Sequence, residues 1–225
     1  MTLPLCHSNQ LELLTQLVLP PDWQIQDETP LMGSDYEFAM ANGGQITRAF
    51  LESLPLEVSE PLIVDTSLVW LVPGLAHGFE VGPAGKLRRP RSPVRFTHEA
   101  FPGVASGVRG ASNRNQDVKH WLCVLGLDCT PEMVYGDWRF DTQSEADQFW
   151  LPLETLEPRE DEIERRLGEG SLRSQQLPVG TIVQFGWGTF LRFPPAERSG
   201  FQLVLRATQG DPRPAMNGRR NLAML

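Results

Sequence analysis

Residues 180–208, GTIVQFGWGTFLRFPPAERSGFQLVLRAT, decide how this chain is read. Two apolar runs flank a Pro-Pro-Ala turn and a glycine, the punctuation that separates consecutive strands. In the second run Gln202 and Arg206 lie four residues apart, and therefore on one face of a strand. If that face lines a pocket, Arg206 and Gln202 are candidate pocket residues, with Arg206 able to hold a carboxylate. If instead Leu203 and Leu205 turn inward, Gln202 and Arg206 meet water. Alternation fits both arrangements, and the second is the plainer expectation.

Around this stretch, 225 residues with a 40% hydrophobic fraction are enough for one well-buried domain spanning 1–225. The content of 19 Pro and 20 Gly suits short strands joined by many turns, which favours a mainly β class. A net charge of −8 argues against nucleic acid as the partner of the whole chain. The charge is uneven. From Lys86 to Lys119 eight Lys/Arg face only Glu99 and Asp117. A solvated loop is the plain reading, and a docking surface for an acidic partner is the sharper one. Cys6, Cys123 and Cys129 make no disulfide framework, which points to a reducing compartment. No signal peptide and no membrane-length apolar run are read, so the expected location is cytoplasmic.

Helical spacing of Leu11, Leu14, Leu17 and Val18 predicts a helix over Gln10–Leu19, within an N-terminal helical extension of residues 1–40. A second helix follows Gly43-Gly44, with Ile46, Ala49, Phe50 and Leu54 as its stripe. Leu62–Val72 is a strand closed by Pro73-Gly74. A long basic stretch to Asp117 has room for short strands near Arg95-Phe96 and Val104. Val118–Leu127 and Met133–Phe140 read as strands. Ser144–Trp150 reads as a helix capped by Ser144, and Pro158–Leu167 as a charged helix ended by Gly168 and Gly170. Residues 209–225 read as a polar tail.

The order GGQITRAFLESLP (43–55), VDTSLVWLVPG (64–74), KHWLCVLGLDCTPEMVYG (119–136) and FGWGTFLRFPPAERSGFQLVLRAT (185–208) resembles the iron- and 2-oxoglutarate-dependent oxygenases, in a phage-like and bacterial group. That resemblance implies a double-stranded β-helix, a cupin-like jelly roll with flanking helices. It also implies a His-x-Asp pair and a later His holding Fe(II), with an Arg gripping 2-oxoglutarate. Here Leu191 stands at the later His and Gln202 at the Arg, and LAHGFEVGPAG (75–85) holds no His-x-Asp. Leu offers no lone pair and Gln no charge. Thr47-Arg48 and Asp65-Thr66 also match, with structural roles as the plain reading.

Three substitutes for the metal pair can be drawn: His77 with Glu80, Asn115-Gln116-Asp117, and His98-Glu99. None restores the His missing at Leu191. A zinc site from His120, Cys123 and Cys129 fails on a strand, because residues three apart point to opposite faces. The expectation is therefore a non-catalytic oxygenase-like protein, a pseudoenzyme with a binding or structural role and no cofactor. One alternative is an active Fe(II)/2-oxoglutarate enzyme with displaced ligands His77, Glu80 or Asp117 and with Arg206 for the cosubstrate. The other is an assembly module that contacts a protein partner or a second copy through Lys86–Arg114.

Overall fold

A computed structural model describes residues 6–57, 59–77, 97–98, 118–150, 157–186, 188–210, 214–219 and 223–224. The chain is mainly β, with antiparallel sheets and few helices, as its composition implies. The long apolar runs become central strands because their two faces are both buried. β4 (Leu62–Leu71), β6 (Lys119–Gly126), β9 (Thr181–Phe185) and β11 (Gly200–Gln209) form the middle of one sheet. β2 (Leu11–Gln16) and the short β13 (Ala223–Met224) flank them, in the order β13-β4-β11-β6-β9-β2 among the described residues. The β13–β4 pairing is parallel.

The second sheet is built on β7 (Glu132–Arg139). On one edge of β7 lies β8 (Leu172–Gln176). On the other, β1 (Cys6–Asn9) and β10 (Phe190–Arg192) lie end to end, and β10 pairs onward with β5 (Thr97–His98). Leu122, Val124, Val183, Phe185 and Val204 of the first sheet pack with Met133 and Leu191 of the second, so the two sheets face each other across an apolar layer.

Outside the first sheet sit α1 (Tyr36–Asn42) and α2 (Gln45–Glu52). Ile46, Phe50 and Leu51 pack on Trp121, Leu203 and Leu205, each buried side chain contributing about 1.5–3 kcal/mol. The N-terminus of α2 is capped from a distance by the buried Glu28 carboxylate. It accepts from the Ile46 and Thr47 N–H groups and the Thr47 hydroxyl at 2.7–3.1 Å. A Cβ at Gly44 would fall 2.1 Å from Glu28 Oε1, so the carboxylate reaches the helix only past a glycine. Outside the second sheet, α3 (Gln143–Trp150) and α4 (Glu157–Gly168) cover Val134, Trp138, Leu172 and Phe190, with Ala146 and Ile163 as their buried contacts.

Three expectations are corrected. The helix over Gln10–Leu19, and with it the all-helical character of residues 1–40, gives way to β2 paired with β9. Leu11 packs between the sheets and Leu14 against the helical layer, because residues three apart on a strand serve opposite faces. A register shift between Leu13 and Thr15 helps that spacing pass for a helix. The cap of α3 is Thr142, not Ser144. Its hydroxyl accepts from the Glu145 N–H at 3.2 Å, and Glu145 accepts from the Asp141 and Thr142 N–H groups. The tail is partly built in: β12 (Gly218–Arg219) pairs with β3 (Leu31–Met32), and β13 extends the first sheet. Arg95, Phe96 and Val104 lie outside the described residues.

Candidate functional site

In β11, even-numbered residues face the second sheet and odd-numbered ones face the helices. Val204 belongs to the layer between the sheets, whereas Leu203, Leu205 and Ala207 pack with α1 and α2. Gln202 and Arg206 therefore lie on the inter-sheet face and Leu203 and Leu205 on the other, with both faces covered. The plainer sequence expectation, Gln202 and Arg206 in water, is overturned: Gln202 is 0% exposed and Arg206 half-buried. Alternation alone does not reveal a helical layer on the far side, and that layer decided the matter.

Gln202 stands opposite Val69 of β4 and Gly126 of β6. Its amide donates to the Cys129 carbonyl at 3.0 Å and approaches Cys129 Sγ at 3.1 Å. Its Oε1 has no hydrogen-bond partner among the described residues. The corner that brings Cys129 there depends on Gly126, whose φ of +96° and whose 2.1 Å clearance from the Phe201 carbonyl exclude a side chain. Arg206 lies roughly 13 Å further along β11, at the strand's rise per residue. It stands opposite Asp65 of β4 and Leu122 of β6. Arg206 and Gln202 thus occupy different parts of the inter-sheet face.

His77 is brought to the Gln202 end by two backbone bonds that lace the exit of β4 to the β10–β11 turn: Gly74 N–H to the Ala196 carbonyl, 2.9 Å, and Ala196 N–H to the Leu75 carbonyl, 2.7 Å. There its ring lies 5.2 Å from that of Phe193. Leu75, Ala196, Cys129, Val69 and Leu127 form the apolar cluster at this end. Leu191, where the resemblance places the metal-binding His, is 1% exposed and part of the inter-sheet core. Glu80 and Asp117 lie outside the described residues. So does the stretch Lys86–Arg114 apart from Thr97–His98, whose backbone pairs with Leu191 and Phe190.

The zinc candidates separate as the strand geometry demands. His120 faces the second sheet, stacked on Phe185 at 5.4 Å and bonded to the Thr208 hydroxyl at 3.0 Å. Cys123 packs in the helical layer. Burial pushes the Cys123 thiol up to about 12 and also raises that of Cys129, so both stay protonated at neutral pH and are poor nucleophiles.

A cleft of about 690 Å³ opens elsewhere, toward the far end of β7. Tyr135, Asp137 and Arg139 alternate along the face of β7 that carries Met133 and therefore looks toward the first sheet. Arg173 of β8 stands directly opposite Tyr135. Leu11, where the chain crosses from the second sheet to the first, forms part of the facing wall. Arg166 of α4 reaches the rim from behind: it bonds Glu162 Oε1 at 2.5 Å and the Arg139 carbonyl at 2.6 Å, and covers the rings of Trp138 and Phe140. None of these residues was read from sequence as a site residue, and Leu11 was read only as part of a helical stripe. The signal was there in YGDWR (135–139), with a polar side chain at every second position, but the partner strand LRSQQ (172–176) carries no apolar alternation to betray it.

Neither family models, nor characterised proteins, nor solved structures give a match to this chain. Among the described residues, no helix is long and apolar enough to cross a membrane.

Proposed function

We propose that this chain is a jelly roll built like a 2-oxoglutarate oxygenase that works without that chemistry, as a binding or structural protein. The strand order supports the architecture. From β4 to β11 one sheet takes β4-β11-β6-β9 and the other β8-β7-β10-β5, an eight-strand exchange between two facing sheets. The observation that carries the functional half is the environment of Leu191. At the position the resemblance assigns to the metal-binding His, an alkyl side chain packs against the inter-sheet core. Gln202, at the position assigned to the cosubstrate Arg, points its amide at Cys129. Leu191 offers no lone pair to an iron ion and Gln202 no charge to a 2-oxoglutarate carboxylate.

The test is the melting temperature of the full chain under anaerobic conditions with Mn(II) or Fe(II), with and without 2-oxoglutarate. A ligand at a hundred times its dissociation constant stabilises a fold by about 2.7 kcal/mol. The expected result is no shift from metal and cosubstrate together, and no stoichiometric iron in the purified protein. A joint shift, or iron at one per chain, would overturn the reading in favour of displaced ligands.

A further inference from the structure

We propose that the cleft at the far end of β7 binds a small oxyanion-bearing molecule, a carboxylate or a phosphate, with Arg173 as the principal charge. The inference gives the binding role a ligand class, and rests on that role but not on the oxygenase resemblance. Four observations converge on it. The cleft's volume, about 690 Å³, lies within the span of small-molecule sites. Among the described residues its walls bring three arginines, Arg139, Arg166 and Arg173, together with one carboxylate, Asp137, while Arg166 is also paired with Glu162 behind the rim, in a chain whose net charge is −8.

The three arginines are not equivalent. Arg166 is committed to Glu162, to a backbone carbonyl and to two aromatic rings, so it shapes the rim. Arg139 pairs with Asp137 at 3.3 Å, an exposed contact that an incoming anion can outcompete. Arg173 is exposed and has no ion partner among the described residues. A guanidinium presents a planar fork that matches two oxygens of a carboxylate or phosphate.

Finally, Tyr135 lies beside Arg173 as its cross-strand neighbour, half-buried, and adds a phenol hydroxyl and a ring face to the same wall. Facing it, Leu11 supplies apolar surface. A ligand with an organic body gains from these two walls, and a bare inorganic anion uses only the charge.

The experiment is an amide-resonance titration of the full-length protein at low ionic strength, with inorganic phosphate in one arm and malonate in the other. Saturable shifts confined to residues 8–11, 135–139 and 170–173 are expected in at least one arm. Stronger binding of malonate points to an organic carboxylate, and stronger binding of phosphate to a phosphorylated ligand. Arg173→Gln should weaken binding about tenfold, the loss of one charge-assisted contact, and added salt should weaken it further. Arg198→Gln, at an exposed arginine outside the cleft, should leave binding unchanged. Because Arg173 is exposed, its variant should melt as the wild type does, which separates loss of binding from loss of fold. Absence of a saturable shift in both arms, or equal affinity in Arg173→Gln and wild type, overturns the proposal. Either result leaves the metal-free reading of the Leu191 region standing, and that reading falls only to its own metal test.

Discussion

Leu191 and Gln202 show how much a single side chain decides here. In the oxygenase-like reading proposed above each occupies a place where a reactive group would project between the sheets; here Leu191 packs into the core layer and Gln202 donates to the Cys129 carbonyl. Glu28 and Gly44 illustrate the same economy on the outer layer. A buried carboxylate is costly unless its oxygens are satisfied, and here three donors of α2 satisfy it. Glu28→Ala should lower stability by about 2–4 kcal/mol, since buried donors lose their acceptor. Gly44→Ala should act in the same direction, because the added carbon displaces that carboxylate. As both changes break one contact, the double variant should cost little more than the worse single variant. Urea midpoints at constant slope would measure this, and additive losses would refute the shared contact. The pairing was not legible in sequence: GGQITRAF announces a helix start, but nothing near it in the chain names residue 28 as its cap.

At the scale of elements, the helices were the easier half to read where they carry an unbroken stripe. The stripe of α2 predicted Ile46 and Phe50 on its buried face but not Thr47 or Leu51, and the apolar runs of β4 and β6 predicted strands. β2 failed because burial on both faces plus a register shift imitates helical spacing. α1 shows an element whose start depends on the distant tail. Its N-cap Asp35 accepts from the Phe38 N–H at 2.8 Å and from the Asn217 side chain at 2.9 Å. These bonds, the Phe38 one foremost, hold the Asp35 carboxyl below its ordinary value of 3.8. A depressed folded-state pKa contributes stability above the unfolded value and loses it as pH falls through the folded one. Asp35→Ala should therefore cost about 1 kcal/mol at neutral pH, and the gap to wild type should close as pH drops below 3.8. Thermal melts across pH 2.5–7, a window set about that transition, would check it. A gap that stays constant into acid would remove the carboxylate from the cap.

For the whole molecule, the C-terminal residues act as a strap. Met216 and Asn217 donate to the Gly33 carbonyl at 2.6 and 3.2 Å, β12 pairs with β3, and β13 lies along the edge of β4. Ending the chain at Gly210 should lower the melting temperature and uncover part of the β4 edge, an invitation to strand pairing between copies. Sedimentation should then show association that grows with concentration. A monomer with unchanged melting would mean that the tail contributes nothing. By itself, the sequence determined the mainly β class, the strands β4, β6 and β7, α2 and the charged helix α4, because each of these follows from local period and from turn residues. It also determined that no His stands at 191 and no Arg at 202. Only the tertiary structure decided which face of β11 meets the helices, that residues 11–16 pair as a strand, that Glu28 caps α2, and that Tyr135 and Arg173 share one wall of a cleft. Those outcomes depend on contacts between residues distant in the chain, and local period carries no information about what will cover the second face of a strand.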